Sequence, residues 1–198
     1  MNRVQAFFED LAGRWNAQQP ADRPEVLRQM LAPFAGLLQE AHAILEVGSG
    51  TGALIPPLSA AASRARLVSL DLAHAMLRQA RRREGGALLV QADAHHLPFG
   101  ARAFDLVVCH NCFPHFADQQ AALGELAGAL LPGGHLLIVH DLSREQVNAI
   151  HRGVGGAIGD HLLPPGEEAR RMLLAAGLVE VEVEDTAARY LAVGRAPC

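Results

Sequence analysis

Three glycines at alternate positions, in Glu46-Val47-Gly48-Ser49-Gly50-Thr51-Gly52, separate a short apolar run from a stretch with helical spacing. Glycines so placed let a chain leave a strand, turn sharply and bring its backbone close to a ligand before a helix begins. The rest of the chain repeats this alternation. Apolar runs at Ile44–Val47, Leu67–Leu70, Ala87–Val90, Leu106–Cys109 and Leu136–Val139 read as strands. Helical spacing follows the first, second and fourth of them, at Ala53–Ala62, Leu72–Arg83 and Ala117–Leu131. Strands apolar on both faces, alternating with helices, predict a parallel sheet covered on both sides. Near the C-terminus Val179–Glu184 alternates with period two and Tyr190–Val193 follows a short turn, which predicts an antiparallel hairpin at one end of the sheet. The expected architecture is a doubly wound, mainly parallel α/β sheet of seven strands with helices on both faces.

The chain has 198 residues, enough for one domain, 1–198, with a full core. Its first forty residues read as a helical cap. Val4, Phe7, Phe8, Leu11 and Trp15 share a helix face, Pro24 opens a second helix through Leu31, and Pro33 bends or ends it. No run of about 18 uncharged apolar residues exists, so no membrane span is expected. Glu9, Asp10 and Arg14 break any signal-peptide pattern before Trp15, so a cytoplasmic location is expected. The formal net charge is −4. The one dense basic cluster, Arg78 with Arg81, Arg82 and Arg83, falls late in a predicted helix, where cations complement the helix dipole. Nucleic acid is therefore not an expected partner. Three cysteines without a secretory signal point to reduced thiols. Oligomeric state is left open by the sequence, a homodimer included.

Two carboxylates complete the glycine loop. Asp71 ends the second predicted strand, where it can accept both ribose hydroxyls of a nucleoside, and Asp93 follows the third, within reach of an adenine amino group. Either one alone suits a helix N-cap equally well; three strand ends in register favour a ligand. A nicotinamide dehydrogenase is the alternative, but the spacing here is Gly-x-Gly-x-Gly rather than Gly-x-Gly-x-x-Gly. A diphosphate also needs free amides at a helix N-terminus, where this chain has Pro56 and Pro57, and Glu46 adds negative charge beside the loop. A phosphate-free, sulfonium-bearing cofactor suits that charge better.

Glu46–Gly52, Asp71, Ala92-Asp93-Ala94 with Leu97-Pro98-Phe99, Phe104-Asp105 and Leu131-Pro132-Gly133-Gly134 together resemble class I S-adenosylmethionine-dependent methyltransferases. The resemblance is to the branch with the ubiquinone and menaquinone C-methyltransferases and many small-molecule enzymes, and it covers roughly residues 40–140. It implies S-adenosyl-L-methionine as cofactor and the Rossmann-like methyltransferase fold. It also implies that Glu46, Gly48, Ser49, Gly50 and Gly52 form the cofactor loop, with Gly48, Ser49 and Gly50 passing under the methionine part. By the same resemblance Asp71 holds the ribose, Leu72 flanks the adenine, Asp93 bonds its amino group beside Ala94, and His110 and Asn111 line the methyl region.

Acceptor chemistry is expected from two segments at the carboxyl edge of the sheet: Cys109–Phe116, and the stretch from His140 to His151. His110, His115 and His140 can converge there. Ser143 with Gln146 forms a capping-box pattern, and in the helix it starts Arg144, Asn148 and His151 share one face, opposite Val147 and Ile150. That stripe is either a solvated surface or the inner face of a lid, 141–165, hinged on the glycine-rich stretch 153–159. Phe113, Arg144 and Asn148 are the candidate substrate contacts. His151, His140 and His115, in that order, are the candidate bases for an acceptor that carries a proton. Cys109-x-x-Cys112 with His115 invites a zinc site, but a strand-ending cysteine suits a core better and no metal is expected. Two alternatives stay open: a thiol or metalloid methyltransferase using Cys109 and Cys112, and a non-catalytic regulatory protein that keeps the cofactor site. His42, His74, His95, His96, His135 and His161 are given no role.

Overall fold

Every residue of β1 (Ala43–Val47) is buried, as a strand covered on both faces must be. The computed structural model describes residues 2–83 and 85–198, and its contacts divide into two units, 1–93 and 94–198.

In the first unit β1 pairs in parallel with β2 (Arg66–Asp71), which pairs in parallel with β3 (Leu88–Gln91), giving the order β3-β2-β1. The registers set Val47 opposite Leu70 and Asp71 opposite Gln91, so the loops that follow these strands start level with one another. The N-terminal residues form α1 (Arg3–Leu11), a 3₁₀ turn at Trp15–Gln18, α2 (Arg23–Leu31) and α3 (Ala35–Glu40). A 3₁₀ turn at Ala32–Phe34, around Pro33, makes the expected bend. Pro56 and Pro57 fall in the first turn of α4 (Ile55–Ala61), where amides lack helical partners anyway, so both are accommodated. The fifth helix, α5 (His74–Ala80), is shorter than expected. Arg81, Arg82 and Arg83 lie beyond it, exposed in a turn, rather than in its last turn.

The second unit has the order β4-β5-β7-β6. β4 (Phe104–His110) runs parallel to β5 (Leu130–His140), and β7 (Tyr190–Arg195) lies antiparallel to both β5 and β6 (Val179–Asp185), which is the expected hairpin. Asp118 caps α6 (Gln119–Gly128) by accepting the Ala121 amide at 2.9 Å. α6 stops at Gly128 instead of Leu131, because Leu130 already pairs with Phe104 and the register shifts before Leu106 meets His135. Gly134 sits in that irregularity, where a Cβ would come within 2.9 Å of the Asp105 and Leu131 carbonyls. α7 (Arg144–Val154) begins with the expected capping box of Ser143 and Gln146, and α8 (Gly166–Ala175) was not foreseen. Among the described residues no helix is long and apolar enough to cross a membrane.

Candidate functional site

The glycine loop is built by positive φ angles of 69° at Gly48, 54° at Gly50 and 76° at Gly52, which side-chain-bearing residues rarely adopt. Ser49 donates its amide to the Leu70 carbonyl at 2.9 Å, and the Gly50 amide donates to Asp71 Oδ2 at 2.7 Å. Asp71 Oδ1 accepts the Ala73 amide at 2.8 Å, so one carboxylate ties the loop after β1 to the turn after β2. Burial pushes its pKa up to about 6, against the pull of these backbone donors, and leaves it mostly ionised at neutral pH.

Glu46 behaves differently. Burial, with a small contribution from the Asp71 charge, pushes its carboxyl up to about 8, although Ser69 donates its hydroxyl to Glu46 Oε2 at 2.5 Å. Glu46 is therefore protonated at neutral pH and does not bring the negative charge expected of it. Gly52 has a packing reason to be a glycine. A Cβ there would lie 2.9 Å from Ala80 Cβ and 2.9 Å from Ile55 Cδ1, so it is a glycine because α4 and α5 pack over it. Gly50 has no atom within 4 Å of a built Cβ. The buried Ser49 hydroxyl has no hydrogen-bond partner. An orphaned buried hydroxyl at Ser49, open space at Gly50 and a carboxylate anchored on the Gly50 amide fit the ribose and methionine parts of S-adenosylmethionine. Leu72 is half-buried, and its carbonyl accepts the side-chain amides of Gln5 at 3.0 Å and Gln91 at 3.1 Å. Asp93 is half-buried and Ala94 buried.

Several residues that the sequence did not single out brace the glycine loop and the start of α5. Glu9 on α1 accepts the His74 amide at 2.6 Å and the Ala75 amide at 2.8 Å, capping α5 from a distance. Thr51 donates its hydroxyl to Asn16 Oδ1 at 2.6 Å, while Arg83 donates from Nε to the Thr51 carbonyl at 3.1 Å. Arg83 thus serves the loop and not only a helix end.

In the second unit His110, His115, His140, His151 and Asp141 gather at the ends of β4, β5 and α7. Asp141 is a clasp: Oδ1 lies 2.8 Å from His110 Nε2, and Oδ2 accepts the Asn111 side-chain amide at 2.7 Å. Asn111 adopts a φ of 53° and returns its side-chain carbonyl to the Asp141 amide at 3.2 Å. His140 is 2 % exposed, packs edge-on against Tyr190 at 5.9 Å, and its Nε2 has no hydrogen-bond partner. Burial, with His110 close by, lowers its pKa to about 3. His115 lies against His151 at 4.8 Å between ring centres with the rings tilted by 35°, and burial with His151 and His161 nearby lowers its pKa to about 3 as well.

The stripe on α7 turns inward. Asn148 and His151 are buried together with Val147, which was expected on the opposite side, whereas Ile150 is 51 % exposed. Asn148 donates to the Leu163 carbonyl at 3.1 Å and accepts the Leu163 amide at 2.8 Å, so its amide clamps backbone instead of standing free for substrate. Arg144 is committed to Asp185 at 2.7 Å. Phe113 is fully buried and packs edge-to-face on Phe116 at 5.8 Å, as a core residue does. Asn148→Ala should destabilise the protein by about 1–3 kcal/mol, because it leaves two buried backbone groups unpaired. Faster hydrogen exchange at the Leu163 amide would check this. Cys109 and Cys112 are buried thiols, and among the described residues no group of three or more His, Cys, Asp or Glu is placed to hold a metal. Nothing in this arrangement favours thiol or metalloid chemistry.

A family model described as a methyltransferase domain matches residues 45–138. The malonyl-[acyl-carrier protein] O-methyltransferase of Geobacter sulfurreducens is 31% identical over 194 residues, covering 92% of this chain and 72% of that protein. The demethylmenaquinone methyltransferase of Thermus thermophilus is 44% identical over 143 residues, covering 70% of this chain and 58% of that protein. Among solved structures, a SAM-dependent methyltransferase from Aquifex aeolicus superposes with a TM-score of 0.71 at 18% identity, covering 93% of this chain and 97% of that one.

Proposed function

Given that the chain belongs to the class I S-adenosylmethionine-dependent methyltransferases of the quinone-methyltransferase-like branch, we propose that it methylates a small-molecule acceptor. The observation that carries this reading is the glycine loop pinned by Asp71 to Gly50, with an unpartnered buried hydroxyl at Ser49 and open space at Gly50. When bound, the cofactor supplies an electrophilic methyl on a sulfonium, which an in-line nucleophile displaces. The chain's own contribution is binding and alignment. In this reading Asp71 accepts the ribose hydroxyls and Ser49 bonds the methionine part. The second unit, with its buried uncharged histidines, receives the acceptor. The relatives named for demethylmenaquinone and for malonyl-[acyl-carrier protein] suggest an acceptor whose reacting group is acidic or enolisable. The net charge of −4 speaks against nucleic acid as the acceptor.

Calorimetry with S-adenosylmethionine, its demethylated product and NAD tests the cofactor assignment. The first two should bind and NAD should not. Asp71→Ala should weaken S-adenosylmethionine binding by about 1–3 kcal/mol, roughly five- to 150-fold, since ribose hydroxyls and the Gly50 amide both lose a partner. Unchanged affinity in that variant removes Asp71 from the cofactor site. Binding without turnover on any acceptor would favour a regulatory protein that keeps the fold. Tight, salt-sensitive binding of RNA or DNA would overturn the small-molecule assignment.

A further inference from the structure

Gln5 and Glu9 lie about one turn apart on α1, and both side chains reach the turn that follows β2. That turn, 71–75, takes its hydrogen-bond partners largely from other elements. α5 starts after Ala73, which has no side chain to cap it, and its seven residues are too few for a helix stable alone. Asp71 Oδ1 accepts the Ala73 amide at 2.8 Å, and Glu9 accepts the next two, from His74 at 2.6 Å and Ala75 at 2.8 Å. The Leu72 carbonyl accepts the side-chain amides of Gln5 and Gln91. Successive amides of one turn are thus divided between two carboxylates, one inside the cofactor site and one on α1.

Deep burial is not what holds α1 there, since none of its residues is buried. Phe8 and Trp15, both partly buried, pack on Ala12, Ala73, Ala75 and Met76. The 3₁₀ turn that follows is fastened by polar groups as well: the Thr51 hydroxyl and Arg83 Nη2 donate to Asn16 Oδ1 at 2.6 and 3.3 Å. Few buried contacts and exposed polar fastenings are the build of a segment that docks and undocks more easily than the core unfolds.

We propose that Gln5 and Glu9 are positioning residues for the nucleoside half of the cofactor: by holding the turn at 72–75 they set Asp71 for the ribose, so that docking of α1 and binding of cofactor reinforce each other. The inference rests on the methyltransferase reading above. Neither residue needs to touch the cofactor. Asp71 Oδ2 is fixed on the Gly50 amide at 2.7 Å and Oδ1 on the Ala73 amide, so the aim of the carboxylate depends on where Ala73 stands. Ala73 lies between the carbonyl held by Gln5 and the two amides held by Glu9. The coupling is reciprocal. The factor by which docked α1 raises cofactor affinity is the factor by which cofactor favours docking.

Calorimetry with S-adenosylmethionine and hydrogen exchange on the full chain test this. Gln5→Met and Glu9→Gln introduce residues that helices favour, and both variants should stay folded. S-adenosylmethionine should bind about fivefold more weakly to Gln5→Met and tenfold or more weakly to Glu9→Gln. In an Asp71→Ala background the same substitutions should cost less than about twofold, because the group they position is gone. Full additive losses there would overturn the proposal. A pH profile separates positioning from simple support of α1. The Ala73 amide pulls the Asp71 pKa down, against burial and the Glu9 charge, so a looser turn raises it. The carboxyls that act on Asp71 are Glu9 from α1 and Glu46 from β1, and Gln5→Met leaves both in place. The acid limb of cofactor binding, set by Asp71 at about 6 in the wild type, should therefore move to higher pH in Gln5→Met. An unmoved limb would overturn positioning through Asp71. Exchange reads the reciprocal effect: α1 amides in the wild type should exchange about fivefold or more slowly once S-adenosylmethionine is bound. Without any ligand, the His74 and Ala75 amides should exchange faster in Glu9→Gln, and unchanged exchange there would overturn the proposal. Failure of the wild type to bind S-adenosylmethionine would instead defeat the reading on which the proposal stands, while the ligand-free exchange would still decide whether α1 holds the turn.

Discussion

Gly52→Ala should lower the stability of the fold by roughly 2–5 kcal/mol while Gly50→Ala, two residues earlier, should lower it by only about 1 kcal/mol, the strain of a left-handed residue. Both glycines have positive φ, 76° and 54°, so both variants carry backbone strain. They differ in what a methyl group meets. At Gly52 it meets Ala80 Cβ and Ile55 Cδ1 at 2.9 Å and Ala80 Cα at 3.0 Å. Ala80 has no flexible side chain to move, so α5 itself must shift. At Gly50 the methyl meets nothing within 4 Å. For a chain of this size the Gly52 effect corresponds to a melting temperature lowered by roughly 5–15 °C. Ligand binding should show the reverse order. Gly50→Ala puts its methyl into the open space proposed for the cofactor and should weaken S-adenosylmethionine by tenfold or more. Gly52→Ala, measured where it is folded, should bind much more nearly like the wild type. Thermal melting with calorimetry reads both. A Gly52→Ala protein that melts with the wild type but fails to bind would return Gly52 to the cofactor loop.

That reversal marks where the sequence was legible and where it was not. A run such as Ile44–Val47 announces a strand because burial on two faces requires apolar residues throughout; five strands were legible on such grounds, and the C-terminal pair from period-two alternation and a short turn. The capping box at Ser143 is equally local: one hydroxyl and one amide, three residues apart, satisfy each other's backbone. Gly52 could be read only as one of three glycines, because the atoms that exclude a Cβ belong to Ile55 and Ala80, and Ala80 is remote in sequence. Glu9 capping α5, Asn16 bonding Thr51 and Asp141 clasping His110 are long-range pairs with no periodic signature. Ile150 misled for a related reason. Its spacing with Val147 sets the pair opposite the Asn148 and His151 stripe, but Val147 is buried with that stripe while Ile150 is exposed, and the stripe is held by backbone groups at His161 and Leu163, which no side-chain pattern encodes. α8 was missed because Glu167, Glu168, Arg170 and Arg171 dilute its apolar stripe of Ala169 and Leu173. Charge states were the least legible. Glu46 reads as an anion in sequence and is neutral once buried.

Buried uncharged histidines make the fold sensitive to acid in a direction that can be isolated at His140. Its pKa falls from 6.5 to about 3, through burial first and then His110, with His115 and His151 acting the same way and Asp141 opposing them. Between these values the unfolded chain binds the proton and the folded chain does not. Each unit by which pH drops below 6.5 therefore removes up to about 1.4 kcal/mol of stability, and the contribution is intact above that pH. Raised carboxylates work against this. Glu46, shifted from 4.5 to about 8, and Asp71, shifted from 3.8 to about 6, bind protons in the folded state first, so they favour the fold as pH falls through those ranges. The wild-type profile mixes these terms, and a comparison with His140→Phe separates them, because phenylalanine keeps an aromatic ring against Tyr190 and does not titrate. From pH 7 to pH 4.5 the variant should gain about 2–3 kcal/mol relative to the wild type. Urea unfolding of both proteins at the two pH values measures it. Parallel stability profiles would mean that His140 takes up its proton without unfolding, and that its buried ring is not held neutral by the fold.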